Sequence, residues 1–158
     1  MSAQNSATPD SSRAKLRKRL YAVAAIVALL GLADGIYLTV EHVTGRTAEC
    51  IASSGCQDVL SSKYAAMGPI PLAALGAFAY FTAFSAALLA AFGYRKCGGF
   101  FAFVVTLMFA TTLCLLYIMA FVLHAFCDYC LFSAGVTTVL TLILITNALL
   151  RDRAPVVR

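Results

Sequence analysis

Four long apolar runs dominate the chain, at residues 20–43, 69–94, 98–123 and 127–150, with short polar breaks between them. Each reaches the roughly 20 residues that an α-helix needs to cross a bilayer. The second break, around Tyr94-Arg95-Lys96-Cys97, and the third, around His124-Ala125-Phe126, are only a few residues long. Such short connections force neighbouring helices to run antiparallel. The pattern therefore predicts an all-α integral membrane fold, an up-down bundle of four transmembrane helices.

The first connection, 44–68, is the longest, and Gly45, Ser53, Ser54 and Gly55 in it are turn formers. The segment from Cys50 to Cys56 can close on itself, within the roughly 4.4–6.8 Å Cα separation of a disulfide. Residues 57–66, with Val59, Leu60, Tyr64 and Ala65 apolar, read as a short amphipathic helix lying on the membrane surface over the bundle mouth. Pro69 and Pro71 then set the lead-in to the second run, since proline is tolerated in a first helical turn. At the N-terminus, residues 1–12 are polar and rich in Ser and Ala. The expected organisation is a disordered cytoplasmic tail over 1–19, a membrane domain over 20–150 and a cytoplasmic tail over 151–158. The first run is too long for a signal-peptide core and lacks a small-residue cleavage site, so it is read as a retained anchor.

Composition agrees with the pattern. The chain is 61% hydrophobic and 12% charged, with mean hydropathy +0.87, against about 45–50% and about 25% in soluble domains. A net charge of +5 and a pI near 9.0 would suit a nucleic-acid binder, but the placement of the charges argues against nucleic acid. Of the 12 basic residues, only Arg46 and Lys63 fall on one side of a four-span topology. The others cluster before the first run (Arg13, Lys15, Arg17, Lys18, Arg19), in the second break (Arg95, Lys96) and in the tail (Arg151, Arg153, Arg158). By the positive-inside rule both termini are cytoplasmic and the cysteine-bearing connections face the exterior. The expected location is a bacterial inner (cell) membrane, with the cysteines on the periplasmic or outer side, where disulfides persist.

Of six cysteines, Cys97 lies on the cytoplasmic side and Cys114 lies mid-span, and both read as small buried hydrophobes. The other four gather at the outward face. Four thiolates suit tetrahedral zinc, but the gap from Cys50 to Cys56 exceeds the usual two-to-four spacing of structural zinc pairs, and no metal is expected. Cys127-Asp128-Tyr129-Cys130 stands at a helix start, where both thiols fall one turn apart and the helix dipole favours a thiolate. Cys130 lies roughly 4.5 Å deeper along the axis than Cys127 at 1.5 Å per residue. The outer thiol is thus within reach of a loop cysteine, and the inner one faces the bundle interior, where a lipid-soluble quinone would dock. The chain has no Gly-rich dinucleotide fingerprint. Asp34 is a carboxylate in a spanning segment, a functional candidate by default. It is expected to serve as a proton relay or a structural hydrogen bond, with the structural role favoured. Its neighbours Gly31 and Gly35 form a small-xxx-small spacing that admits a second helix.

Together these residues resemble the vitamin K epoxide reductase family, especially its bacterial quinone-linked members. The resemblance spans nearly all of the chain after the tail. It is carried by Cys50…Cys56, by Asp58-Val59-Leu60-Ser61-Ser62-Lys63-Tyr64, by Gly68-Pro69-Ile70-Pro71-Leu72…Gly76 and by Phe126-Cys127-Asp128-Tyr129-Cys130. It implies that Cys50 and Cys56 are a shuttle pair, that Cys127 and Cys130 are the active-site pair, and that Ser62 supports hydrogen bonding there. It also points to Ser62, Leu72, Gly76 and Ala134 as quinone-binding positions. Vertebrate members carry an Asn where Leu72 aligns and a Tyr near Ala134, which serve the naphthoquinone head group. Their absence favours simple quinone reduction over epoxide reduction. Many bacterial members carry a fused thioredoxin-like domain, which is not found here, so a separate thioredoxin-fold (DsbA-like) partner is expected.

The resulting expectation is a membrane thiol–quinone oxidoreductase. A reduced partner attacks the Cys50–Cys56 disulfide, Cys50 attacks Cys127, and Cys130 passes electrons to ubiquinone, menaquinone or a related quinone. Such a relay supports disulfide formation in exported proteins. The unrelated DsbB-type enzymes place their CxxC in the first outward loop rather than at the final helix. Vitamin K quinone or epoxide reduction, and a non-enzymatic tetraspan metal-binding protein, are the alternatives.

Overall fold

A computed structural model describes residues 9–45, 56–60, 62, 65–67 and 70–152. Four helices in it are long and apolar enough to cross a membrane. They are α1 (Pro9–Thr44), α3 (Leu72–Ala91), α4 (Arg95–Ile118) and α5 (Asp128–Asp152), with the short α2 (Cys56–Leu60) between the first two. Helix α1 packs against α3 and α5, and α4 packs against the same two, so the spanning helices form a closed ring of four.

Helix α1 corrects one expectation. Residues 9–19, read as disordered tail, are helical from Pro9 onward. Pro9 lies at the first helical position, where its missing N–H costs nothing, and Ala, Lys, Leu and Arg are good helix formers. At 36 residues the helix is about 54 Å long, well beyond a hydrocarbon core of ~30 Å. Its basic first turns therefore stand outside the apolar layer. At the other end it stops at Gly45, whose φ of 67° only glycine adopts freely.

The segment after α1 also differs in detail from the expected surface helix. Helix α2 ends at Leu60 rather than running to residue 66. Ser62 turns the chain there, its hydroxyl donating to the Val59 carbonyl at 2.7 Å. A two-residue hairpin follows, in which β1 (Ala66–Met67) pairs antiparallel with β2 (Ile70–Pro71). The Leu72 N–H then donates to the Ala65 carbonyl at 2.8 Å, tying the hairpin to the start of α3.

Inside the ring, α1 and α3 meet through small residues. Ala24, Ala25 and Ala28 face Ala83, Ala86 and Ala87, all buried. Phe101, Val104 and Val105 of α4 and Val136, Leu140 and Ile143 of α5 complete the core. Tyr21 meets Phe101 edge-on, with ring centroids 5.8 Å apart. Large apolar side chains such as Ile26, Phe78, Phe103 and Leu142 point outward; in a bilayer they face lipid. Threonines 82, 106, 138 and 146 donate to the carbonyl four residues back, so these hydroxyls are satisfied within their own helices. Cys114 is exposed on this outer surface rather than buried.

Helix α4 does not end cleanly. Its last turn widens into a π-helical turn over Met119–Leu123, and His124 follows in the left-handed region at φ 49°. A π-turn is uncommon and concentrates at functional sites. This one swings the chain back toward the start of α5.

The α1–α3 seam gives a direct test of packing. A Cβ on Gly31 would overlap the ring of Tyr80, whereas one on Gly135 meets nothing within 4 Å. Gly31→Ala should lower stability by about 1–3 kcal/mol through overpacking, while Gly135→Ala should be neutral or mildly stabilising. Thermal unfolding in detergent, with both variants side by side, measures the contrast.

Candidate functional site

All elements at one end of the ring converge on two cysteine-bearing segments. Cys127 and Cys130 are free thiols, while Cys56 is disulfide-bonded. Cys50, the other loop cysteine singled out in the sequence, lies outside the described residues. Cys56 and Cys127 are both fully buried and belong to one apolar cluster with Val59 and Met119. Helix α2 thus presses a cysteine of the first connection against the wall that holds Cys127, and the π-turn supplies Met119 to that wall.

Cys127 immediately precedes α5, and its carbonyl accepts the Leu131 N–H at 3.0 Å, the first bond of that helix. The first N–H groups of any helix lack partners within it. Here the N–H groups of Tyr129 and Cys130 turn back to the Cys127 sulfur. A hydrogen bond from the Cys130 thiol acts first, and these two backbone donors assist it. Together they outweigh burial and the nearby Asp128 carboxylate, and hold the Cys127 thiol down at about 7. The helix start stabilises one thiolate in particular, the one outside the helix.

Cys130 faces the other way. It opens on a cavity of about 170 Å3 enclosed by all four spanning helices and roofed by α2 and the Ser62 turn. The four positions singled out for quinone contact, Ser62, Leu72, Gly76 and Ala134, all line this cavity, as does Asp34. Cys127 does not line it. A Cβ on Gly76 would meet nothing within 4 Å, because that face of α3 borders open cavity space. Cys97 and Cys114 take no part in the site.

Sequence reasoning missed a buried polar knot one turn below Cys130. The Tyr80 hydroxyl donates to the Ser133 carbonyl at 2.9 Å and sits 2.7 Å from Ser133 Oγ and 2.9 Å from Thr137 Oγ1. Thr137 in turn donates to the Ser133 carbonyl at 3.0 Å. The spacing 130, 133, 137 places these residues on one face of α5, a signal present in the sequence; the cross-helix reach of Tyr80 was not. Tyr129, on the cavity lining, has its ring centroid 5.5 Å from that of Tyr37. Most of the remaining lining is aliphatic, contributed by Leu38, Leu115, Leu116, Ile118 and Leu123 among others. An apolar chamber with a few polar groups and a thiol on its wall is suited to a flat, lipid-soluble redox molecule.

A sequence model of the vitamin K epoxide reductase family matches residues 22–145, which takes in α2, α3, α4, most of α1 and α5, and every residue that lines the cavity. A search of curated proteins finds no match.

The asymmetry of the pair is measurable. Thiolate formation at Cys127, followed by ultraviolet absorbance or alkylation rate, should show a midpoint near pH 7. Because the Cys130 hydrogen bond is the largest cause of the lowering, Cys130→Ala should move that midpoint upward toward the ordinary thiol range.

Proposed function

Because the chain belongs to the vitamin K epoxide reductase family, and is a multi-pass membrane oxidoreductase, we propose that it transfers electrons from a thioredoxin-fold protein through two cysteine pairs to a lipid quinone. The reading rests on one observation above the rest: Cys130 opens on the apolar cavity while Cys127 joins the cluster that contains Cys56. Cys130 also packs against that cluster, so the pair bridges the loop cysteine's cluster and the cavity, with only the inner thiol on the cavity wall.

In the proposed sequence one thiolate of the partner's dithiol attacks the Cys50–Cys56 disulfide at Cys50, forming a mixed disulfide and freeing Cys56. The partner's second thiol then attacks the partner sulfur of that bond, so the partner leaves as a disulfide and Cys50 and Cys56 remain as a dithiol. Cys50 then attacks the Cys127–Cys130 disulfide at Cys127, freeing Cys130 as a thiolate. Cys56 completes the exchange by attacking Cys50, which restores the loop disulfide and leaves Cys127 and Cys130 reduced. The reduced pair gives two electrons to quinone in the cavity and closes its own disulfide. A thiol held near neutral pKa is both a good leaving group and a good nucleophile in such exchanges, and Cys127 has that property. Ser62, Leu72, Gly76 and Ala134 form the proposed quinone contacts. With Leu72 and Ala134 apolar, ring contacts are dispersive at both positions, which supports quinone reduction as the reaction. The charge distribution supports an orientation with both termini in the cytoplasm and the site on the outer face, and the proposed location is a bacterial inner membrane with the site on its periplasmic or outer side. Disulfide formation in exported proteins is the proposed physiological outcome.

Purified protein supplied with a reduced thioredoxin-fold donor should reduce ubiquinone or menaquinone analogues, read by their ultraviolet absorbance. No turnover with any quinone would refute the proposal. Cys130→Ala should abolish quinone reduction even with a small dithiol that bypasses the loop pair; near-normal turnover would remove Cys130 from the quinone-facing role. Gly76→Leu should fill the chamber, raising the quinone KM at least about tenfold (roughly 1.4 kcal/mol) while exchange between the cysteine pairs proceeds at the wild-type rate. Single-turnover kinetics separate the two steps.

A further inference from the structure

The polar groups around the cavity are mostly spoken for. The hydroxyls of Tyr80, Ser133 and Thr137 engage one another, Ser62 donates to Val59, and Tyr129 lies against Tyr37. Asp34 differs from all of these. It is partly buried, lines the same cavity as Cys130, and among the described residues its carboxyl takes part in no hydrogen bond or ion pair. A carboxyl group in a spanning helix is expensive to keep, and the helix–helix hydrogen bond expected from the sequence to justify it is not formed by any described residue. Its position is fixed nonetheless. Gly31 and Gly35 on either side of it are pressed against Tyr80 and Ala77 of α3, so the backbone that carries Asp34 has little room to turn.

We propose that Asp34 is a catalytic proton carrier for the quinone oxygen, a role that rests on the quinone reading above. Reduction joins the sulfurs of Cys127 and Cys130 in a disulfide; the pair loses two electrons and two protons, and the quinone gains both to become a hydroquinone. The electrons leave from the sulfurs, but a quinone oxygen on the far side of the ring is out of reach of a thiol proton. Asp34 hands its carboxyl proton to that oxygen and is reprotonated from water, into which the dithiol releases an equal number, so the protons balance and Asp34 ends as it began. His42 lines the cavity on the same stripe of α1, eight residues nearer the exposed end. At 1.5 Å per residue it stands about 12 Å further out, where its side chain is exposed.

The test uses full-length protein in detergent or nanodiscs, reduced beforehand and mixed with a soluble ubiquinone analogue in a stopped-flow instrument. Asp34→Asn should slow the quinone step on the order of 10²-fold, the usual contribution of a positioned proton donor, with exchange between the cysteine pairs unchanged. Asp34→Glu should keep most of the rate, and added formate should restore part of the rate of the Asn variant, since a small acid can fill the role of a missing carboxyl. A merely structural Asp34 would not respond to formate. An unaltered quinone step in Asp34→Asn overturns the inference, and so does a slowed step that neither formate nor Glu recovers. Wild-type protein that reduces no quinone at all would instead refute the functional reading, and this inference with it.

Discussion

The contact on which the site depends is the close approach of α1 and α3. Gly31 and Gly35 leave no side chain between the two backbones, so the Tyr80 ring lies directly on Gly31 and Ala77 touches Gly35. In lipid there is no hydrophobic force to drive two apolar helices together, and small residues that permit dense packing take its place. Because Tyr80 is pressed so far inward, its hydroxyl crosses the bundle and reaches Ser133 and Thr137 on α5. That reach fixes the rotation of α5 one turn below Cys130, and with it the direction in which the inner thiol points. A helix pair that carries no cysteine therefore determines where the redox-active sulfur sits.

The second constraint is local. A helix must satisfy its first N–H groups from outside itself, and α5 uses the Cys127 sulfur to do so. The sulfur is an acceptor only as well as its charge allows, so satisfying the helix and stabilising the thiolate are the same interaction. The π-turn and left-handed His124 that precede it are the backbone route by which the chain arrives at Cys127 from the correct side.

Much of this was legible in the sequence. The four spans followed from run length alone, and the short connections between them set the antiparallel order. The cavity residues Ser62, Leu72, Gly76 and Ala134 came from motif resemblance, and the structure gathers them around one chamber. What the sequence hid was of two kinds. Residues 9–19 were polar enough to read as tail, yet their helix propensity and continuity with an apolar helix carry the structure back to Pro9. The Tyr80 knot was hidden because a tyrosine in an apolar run has no periodic signature; its partners lie more than fifty positions away. Long-range polar contacts of that sort depend on how helices rotate about their axes, and hydropathy is blind to rotation.

The extended basic start of α1 has a consequence for depth. Lys15, Arg17, Lys18 and Arg19 ride on helix that is continuous with the membrane-crossing portion, so they cannot follow the apolar residues inward without being stripped of water. They act as a collar that stops the helix from sliding. Asp34 lies fifteen residues beyond Arg19 on the same rigid rod, a rise of about 22 Å. The collar at one membrane surface therefore sets how far below the opposite surface that carboxyl is held, and the cavity inherits its vertical position from charges at the far end of the protein.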